Sequence, residues 1–346
     1  LTDVNAAPRK TCGPPSPFVL WRAGVHIVTY MRISVTDRCN ERCAYCLPHD
    51  VAIEWLPRGQ ILTYEEILRV ARVATSLGVT KFRVTGGEPL VRKNVADFIA
   101  ALTKLPGVTD IGLSTNATLL APLADELRRA GVTKVNISLD TLRADRYREL
   151  TGNGKLGDCL AGIDAAIAAG FPQVKLNAVL MKGKNDDEIL DLIEFAAGNR
   201  VPLRFIELMP ISTSEVLTDD NFMSIEHARR IIARRYTLVP DNLRLGNGPA
   251  LYYRADGLPI HLGFIGAMTN LHFCESCNKL RLTADGKLRP CLGAHMEFDL
   301  KPVLRAPGTT DAMLRDVFVQ TIRHKPEEHE FRNNYRPGRN MVAIGG

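Results

Sequence analysis

Between about residues 30 and 209 one pattern recurs six times: a short run rich in Val, Ile or Phe, then a longer amphipathic stretch that closes at a glycine. The runs Tyr30 to Thr36, Lys81 to Thr85, Asp110 to Thr115, Lys134 to Leu139, Gln173 to Val179 and Leu203 to Glu207 read as strands. Between the first two, Tyr64 to Leu77 puts Ile67, Val70, Ala71 and Ala74 on one helical face. Thr63 with Glu66 three residues later forms a capping box, and Gly78 supplies the stop. Gly131, Gly170 and Gly198 stand in the same relation to the stretches before them, as expected of left-handed C-terminal caps. Strands alternating with helices demand a parallel sheet with right-handed crossovers. Six units fall short of the eight in a closed barrel, which leaves a partial barrel or an open doubly wound sheet. In both, ligands gather beyond the C-terminal ends of the strands.

After about residue 240 the texture changes to period-two alternation with tight turns. Leu251 to Arg254 and Leu258 to Phe264 flank Asp256-Gly257, and Lys279 to Thr283 and Lys287 to Cys291 flank Asp285-Gly286, both strong hairpin signals. A smaller antiparallel second domain is expected there, bracketed by helical patterns at 224–235 and 310–323. Composition fits this picture. Hydrophobic residues make up 45% and charged residues 24% of 346, with mean hydropathy −0.05, as in ordinary globular chains. The net charge of +6 and pI near 8.9 come without a basic run, so anionic small molecules are favoured as partners over nucleic acid. No stretch is apolar enough to span a membrane and the N-terminus lacks a secretory h-region, so a cytoplasmic protein is expected.

Six of the eight cysteines fall in two tight trios, which in a reducing compartment points to metal or catalysis. Cys39, Cys43 and Cys46 form CxxxCxxC directly after the first strand. A cubane cluster normally takes four thiolates, so three leave one iron free to bind something else. Zinc, with His49 as a fourth ligand, is the alternative. The second trio, Cys274, Cys277 and Cys291, also lacks a fourth cysteine, and His295 is the nearest candidate for a zinc site there. Cys12 and Cys159 read as isolated thiols. Thr85 to Pro89 reads TGGEP, whose paired glycines would let backbone N–H groups approach a ligand and leave Glu88 to accept hydrogen bonds. Arg32, Lys81, Arg83, Lys175, Lys279 and Arg281 lie near strand ends. Strand alternation puts Lys81 and Arg83 on one face, and likewise Lys279 and Arg281, and several converging cations suit a polyphosphate.

CxxxCxxC with Tyr45 before its last cysteine resembles the radical S-adenosylmethionine signature, and TGGEP strengthens the likeness. The run from Arg32 to Cys46, the stretch FCESCNKLRLTADGKLRPCL and the Gly345-Gly346 end together resemble the GTP 3′,8-cyclase family of molybdenum cofactor biosynthesis, over about residues 27 to 346. This resemblance implies an α/β fold: a partial (βα)6 TIM-like barrel over 27–239, after a poorly ordered arm at 1–26. A smaller C-terminal α+β domain with antiparallel hairpins over 240–325 and a tail over 326–346 would follow.

The resemblance further implies two 4Fe-4S clusters and S-adenosyl-L-methionine. The first cluster, on Cys39, Cys43 and Cys46, would bind the methionine end of S-adenosylmethionine, and a 5′-deoxyadenosyl radical would abstract the 3′ hydrogen of GTP so that carbon attacks guanine C8. The second, on Cys274, Cys277 and Cys291, would hold the guanine. Contacts to S-adenosylmethionine fall by motif match on Tyr45, Gly87, Ser138 and Met209. Those to GTP fall on Arg32, Lys81, Arg83, Ser114, Lys175, Lys279, Leu280 and Arg281, with Arg281, Gly345 and Gly346 as the catalytic set and the diglycine tail entering the active site. Lys279 and Ser114 depart from the arginine and threonine that the family often carries, and lysine loses arginine's bidentate fork. The resemblance also implies an electron donor of flavodoxin or ferredoxin type, a cyclic pyranopterin monophosphate synthase as the next enzyme, and a homodimer. Competing readings are a radical enzyme that modifies peptides, an iron–sulfur electron carrier, and a structural zinc protein.

Overall fold

The computed structural model describes residues 27–49, 52–212, 215–243, 245–246 and 248–345. The expected N-terminal arm, Cys12 and Gly346 lie outside them. The six predicted strands are present as β1 (Tyr30–Ser34), β2 (Lys81–Thr85), β3 (Asp110–Thr115), β4 (Lys134–Ser138), β5 (Gln173–Leu180) and β6 (Leu203–Glu207). The helices that follow them are α1 (Tyr64–Ser76), α2 (Val95–Thr103), α3 (Ala124–Arg129), α4 (Ala144–Thr151), α5 (Leu156–Ala168), α6 (Ile189–Gly198) and α7 (Ile225–Ile232). Thr63 and Glu66 form the expected reciprocal capping box at the start of α1.

Gly78, Gly131 and Gly170 have the left-handed φ that a C-terminal cap needs. Gly198 does not: it is the last residue of α6, and the left-handed position falls two residues later, on Arg200 with φ 55°. The chain reverses there by the same pair of backbone bonds seen after α1. Arg200 N–H donates to Ala197 and Val201 N–H to Ala196, as Gly78 does to Thr75 and Val79 to Ala74.

The C-terminal third contributes β7 (Leu238–Asp241), β8 (Leu251–Ala255), β9 (His261–Ile265), β10 (Lys279–Leu282), β11 (Lys287–Arg289) and β12 (Phe298–Asp299). It also contributes α8 (Lys301–Arg305), α9 (Asp311–Arg323) and α10 (Met341–Ile344). The hairpins expected there form, but they belong to the same sheet as the βα units. Strand order is β12-β11-β10-β1-β2-β3-β4-β5-β6-β9-β8-β7. β10 lies parallel to β1 and β9 parallel to β6, so eight neighbouring strands run parallel and an antiparallel hairpin finishes each edge. β7 carries Pro240, which an edge strand tolerates.

Alternation divides the sheet's two faces. Met31, Ile33, Val84, Leu113, Ile137, Leu176, Phe205, Leu262 and Leu280 are buried in one hydrophobic core with the helices. Their neighbours Arg32, Arg83, Ser114, Asn136, Lys175, Arg204 and Arg281 turn to the concave side, which is polar and holds a cavity.

Candidate functional site

All six clustered cysteines line this one cavity of about 380 Å³. The first trio lies on the loop after β1. Cys46 and Leu47 N–H both donate to the Cys43 carbonyl, while Arg42 and Ala44 N–H bond the carbonyls of Thr151 and Leu150 at the end of α4. TGGEP secures the other side. Gly87 N–H donates to Thr36 and Glu88 N–H to Arg38, and a Cβ on Gly87 would stand 2.3 Å from the Arg38 carbonyl oxygen. The paired glycines therefore allow close approach to the cysteine loop, and the Gly87 N–H is spent there rather than left for an anion. The Glu88 carboxylate accepts from Leu90 N–H, Thr115 hydroxyl and Asn116 N–H at 2.8 to 3.0 Å, as expected of an acceptor.

Burial pushes all three thiols of this trio up, and it raises Glu41 and Glu88 to about 7 and Asp140 to about 6. The Tyr45 hydroxyl donates to Asp140 at 2.8 Å. The second trio lies on the loop from β9 to β10 and on the segment after β11. Burial raises Cys274 and Cys291; at Cys277 burial is opposed and outweighed by Lys325 and Lys279, which pull it down.

The donor sets fit iron–sulfur clusters. Each offers three half-buried cysteines facing the cavity. His49 is exposed and off the cavity, and His295 lies against the Tyr335 ring with centroids 4.7 Å apart, also off it. Among the described residues no three His, Cys, Asp or Glu side chains gather around a single ion. Neither histidine named from the sequence reaches its trio, while His329 lines the cavity with Cys274, Cys277 and Cys291 and keeps its Nε2 buried without a hydrogen-bond partner.

Between the trios runs a cationic wall of Arg32, Arg83, Lys134, Lys175, Arg204, Lys279 and Arg281. Burial, then repulsion from Arg204, Arg83 and Lys134, lowers Lys175 to about 6. Its Nζ donates to Gln173 Oε1 at 2.7 Å and to the Leu245 carbonyl. Burial and Arg281 lower Arg32 to about 9, and its Nε is buried without a hydrogen-bond partner. Arg83 Nε donates to the Tyr30 hydroxyl at 2.6 Å and Nη1 to the Leu113 carbonyl at 2.8 Å. For Tyr30, burial works to raise the phenol, but Arg83, Arg32 and Lys279 together lower it. Room for Arg83 comes from Gly112 opposite, where a Cβ would meet its Nη2 at 2.6 Å.

Of the residues predicted from sequence, Tyr45, Gly87, Ser138, Met209, Arg32, Arg83, Ser114, Lys175, Lys279 and Arg281 all line the cavity. Lys81, the first residue of β2, is half-buried and not among the lining residues. The Leu280 side chain faces the other way and is fully buried in the core. Gly345, with φ 73°, gives its carbonyl to Arg281 Nη1, and Met341 and Val342 of α10 line the cavity. Cys159 is buried, its thiol 3.8 Å from the Ser138 carbonyl. Sequence reading passed over Tyr30, Lys134 and Arg204. The last two carried the same signal as Lys175, a cation at an inward position of a short strand.

Residues 33–196 match the Radical SAM superfamily and residues 201–331 match Molybdenum Cofactor Synthesis C. The chain is 46% identical over 319 residues to the GTP 3′,8-cyclase of Moorella thermoacetica, covering 92% of this chain and 98% of that one. Identity is 44% over 320 residues to the enzyme of the same name from Pelotomaculum thermopropionicum, with the same coverage. Among solved structures, Streptococcus suis SuiB bound to precursor peptide SuiA superposes with TM-score 0.58 at 15% identity, covering 99% of this chain and 84% of that one. At that identity the likeness speaks for a shared fold.

Proposed function

The chain belongs to the GTP 3′,8-cyclase family of the radical S-adenosylmethionine superfamily, and from that premise we propose how its residues divide the work. The reaction converts GTP to (8S)-3′,8-cyclo-7,8-dihydroguanosine 5′-triphosphate, the first step of molybdenum cofactor biosynthesis. Bound at the two trios, the iron–sulfur clusters with S-adenosylmethionine supply the one-electron chemistry that activates the ribose C3′–H bond for attack on guanine C8.

The protein's part is to position and to exclude water. Cys39, Cys43 and Cys46 hold one cluster, and Tyr45, Gly87, Ser138 and Met209 surround S-adenosylmethionine beside it. Cys274, Cys277 and Cys291 hold the other at the guanine end. Arg32, Arg83, Lys175, Lys279 and Arg281 bind the triphosphate and ribose between them, with Lys134 and Arg204 extending the same wall, and Ser114 offers a hydroxyl. The Gly345 carbonyl orients Arg281, and a Cβ on Gly345 would crowd the Ser34 side chain at 3.1 Å. The chain divides accordingly: 27–239 holds S-adenosylmethionine, 240–325 the guanine, and 326–346 closes on both. The observation that carries this reading is that both trios face one cavity whose intervening wall is cationic.

An electron donor of flavodoxin or ferredoxin type supplies the reductant, and a cyclic pyranopterin monophosphate synthase takes the product. The enzyme works as a homodimer in the cytoplasm; among the described residues no helix is long and apolar enough to cross a membrane. The test is 5′-deoxyadenosine release by anaerobically reconstituted, dithionite-reduced protein with GTP, with guanosine, or with neither. Strong stimulation by GTP alone is expected. Equal release under all three conditions would overturn the assignment of the cationic wall to the triphosphate.

A further inference from the structure

Lys325 follows α9 and is buried, with 7% of its surface exposed. Its ammonium donates to Pro290 carbonyl at 2.7 Å and to Cys277 Sγ at 3.4 Å. Among the described residues no carboxylate forms a salt bridge with it. A buried ammonium without an anion is costly, so the fold keeps this cation in place for a negative charge, and the sulfur of Cys277, a thiolate when it ligates a cluster, is the group of that kind it touches. Pro290 immediately precedes Cys291, so one side chain ties together the chain at two of the three cysteines of the second trio. Lys325 is not among the cavity-lining residues, which sets it apart from the cations of the wall. It stands behind the trio, while Lys279 and Arg281 stand before it.

We propose that Lys325 is a positioning residue for the second cluster, whose charge-assisted hydrogen bond to the Cys277 ligand holds that cluster at a higher reduction potential than its three thiolates alone would set. The inference rests on the reading that the second trio carries a 4Fe-4S cluster. Its physical basis is general: positive charge and N–H donors at ligand sulfur favour the reduced, more negative cluster. The sulfurs of the first trio accept from backbone N–H groups, Glu41 at Cys39 (3.5 Å) and Val342 at Cys46, and from no cationic side chain among the hydrogen bonds of the described residues. The two clusters are therefore tuned apart by the protein.

The experiment uses full-length protein with Cys39, Cys43 and Cys46 replaced by alanine, so that only the second cluster is present. Iron and sulfide content are measured, and the midpoint potential is read by EPR-monitored titration. Lys325→Met removes the charge and the donor, Lys325→Gln keeps a neutral N–H donor, and Lys325→Arg keeps both. The expected order of potentials is native and Arg highest, Gln intermediate, Met lowest. Native and Met should differ by at least a tenfold change in the reduction equilibrium, about 59 mV for one electron. Should the Met variant fail to load iron, the comparison of Gln with Arg carries the same prediction. Loaded variants with unchanged midpoints would overturn the role of Lys325. A native second trio that binds no cluster would instead overturn the reading on which the inference rests.

Discussion

Burial among Arg204, Arg83 and Lys134 leaves Lys175 with a proton affinity near pH 6, so above that pH the free cavity holds it mostly as an amine. Its two bonds to Gln173 and Leu245 use the two protons an amine retains. A triphosphate arriving beside it favours the ammonium and raises its pKa. GTP binding at pH 7.5 is then expected to take up a proton at Lys175, and this contribution to affinity falls as pH rises above 6. Calorimetry in buffers of different ionisation heat measures the uptake; Lys175→Met should abolish its share and weaken GTP binding by about 10- to 100-fold, given about 1.5–3 kcal/mol for a hydrogen bond to a charged group. Tyr30→Phe tests the neighbouring contact. It leaves Arg83 Nε buried without its acceptor, at a cost of about 1–3 kcal/mol, and should raise KM for GTP while iron content and basal S-adenosylmethionine cleavage stay native. Arg83 and Lys175 were legible in the sequence because strand alternation alone turns them inward. The same rule excludes the Leu280 side chain, since Lys279 and Arg281 on either side face the cavity. Tyr30 and Lys325 were not legible, because their partners are 53 and 48 residues away and only packing brings them together.

At the scale of elements, two glycines separate the needs of the site from those of the scaffold. Gly112 on β3 leaves room for the Arg83 guanidinium, whereas Gly162 on α5 lies against backbone, where a Cβ would stand 2.1 Å from the Ala117 carbonyl oxygen. Gly112→Ala therefore displaces a side chain, and Gly162→Ala forces a helix off the loop after β3. The first is expected to raise KM for GTP with little change in thermal stability. The second should lower stability by about 1–3 kcal/mol, the usual cost of overpacking, with KM nearly native; thermal melts and GTP titration read the two effects separately. Helices, caps and hairpin turns could be read locally because each depends on residues a few positions apart, as Thr63 and Glu66 show. The neighbours of β9 and β10 could not. Pairing Tyr30 with Lys279 joins residues about 250 positions apart, and nothing in either strand's pattern specifies the other.

Across the whole molecule, the change of texture near residue 240 does not divide the sheet, because the strands after it join both edges of the arc built before it. That topology carries Lys279 and Arg281 on β10 to the side of Arg32 on β1, with which Arg281 is in register, and so completes the cationic wall. It also sets the second trio across the cavity from the first. The two halves of the site are thus separate in ligands and joined in space, which predicts separable losses. Cys46→Ala removes a ligand at the S-adenosylmethionine end and should abolish 5′-deoxyadenosine formation with or without GTP, since the radical machinery itself is gone. Cys277→Ala leaves the first trio intact and should retain slow, uncoupled S-adenosylmethionine cleavage while losing its stimulation by GTP. Arg281→Ala, with both trios kept, should retain full iron content and lose most GTP-dependent turnover, because the cation next to the Gly345 carbonyl is missing from the wall. Iron content, 5′-deoxyadenosine and cyclised product measured on each variant decide the matter. A Cys46 variant that cleaves normally would dismiss the first trio as the S-adenosylmethionine site. A Cys277 variant still stimulated by GTP would mean that the cationic wall alone couples substrate to cleavage.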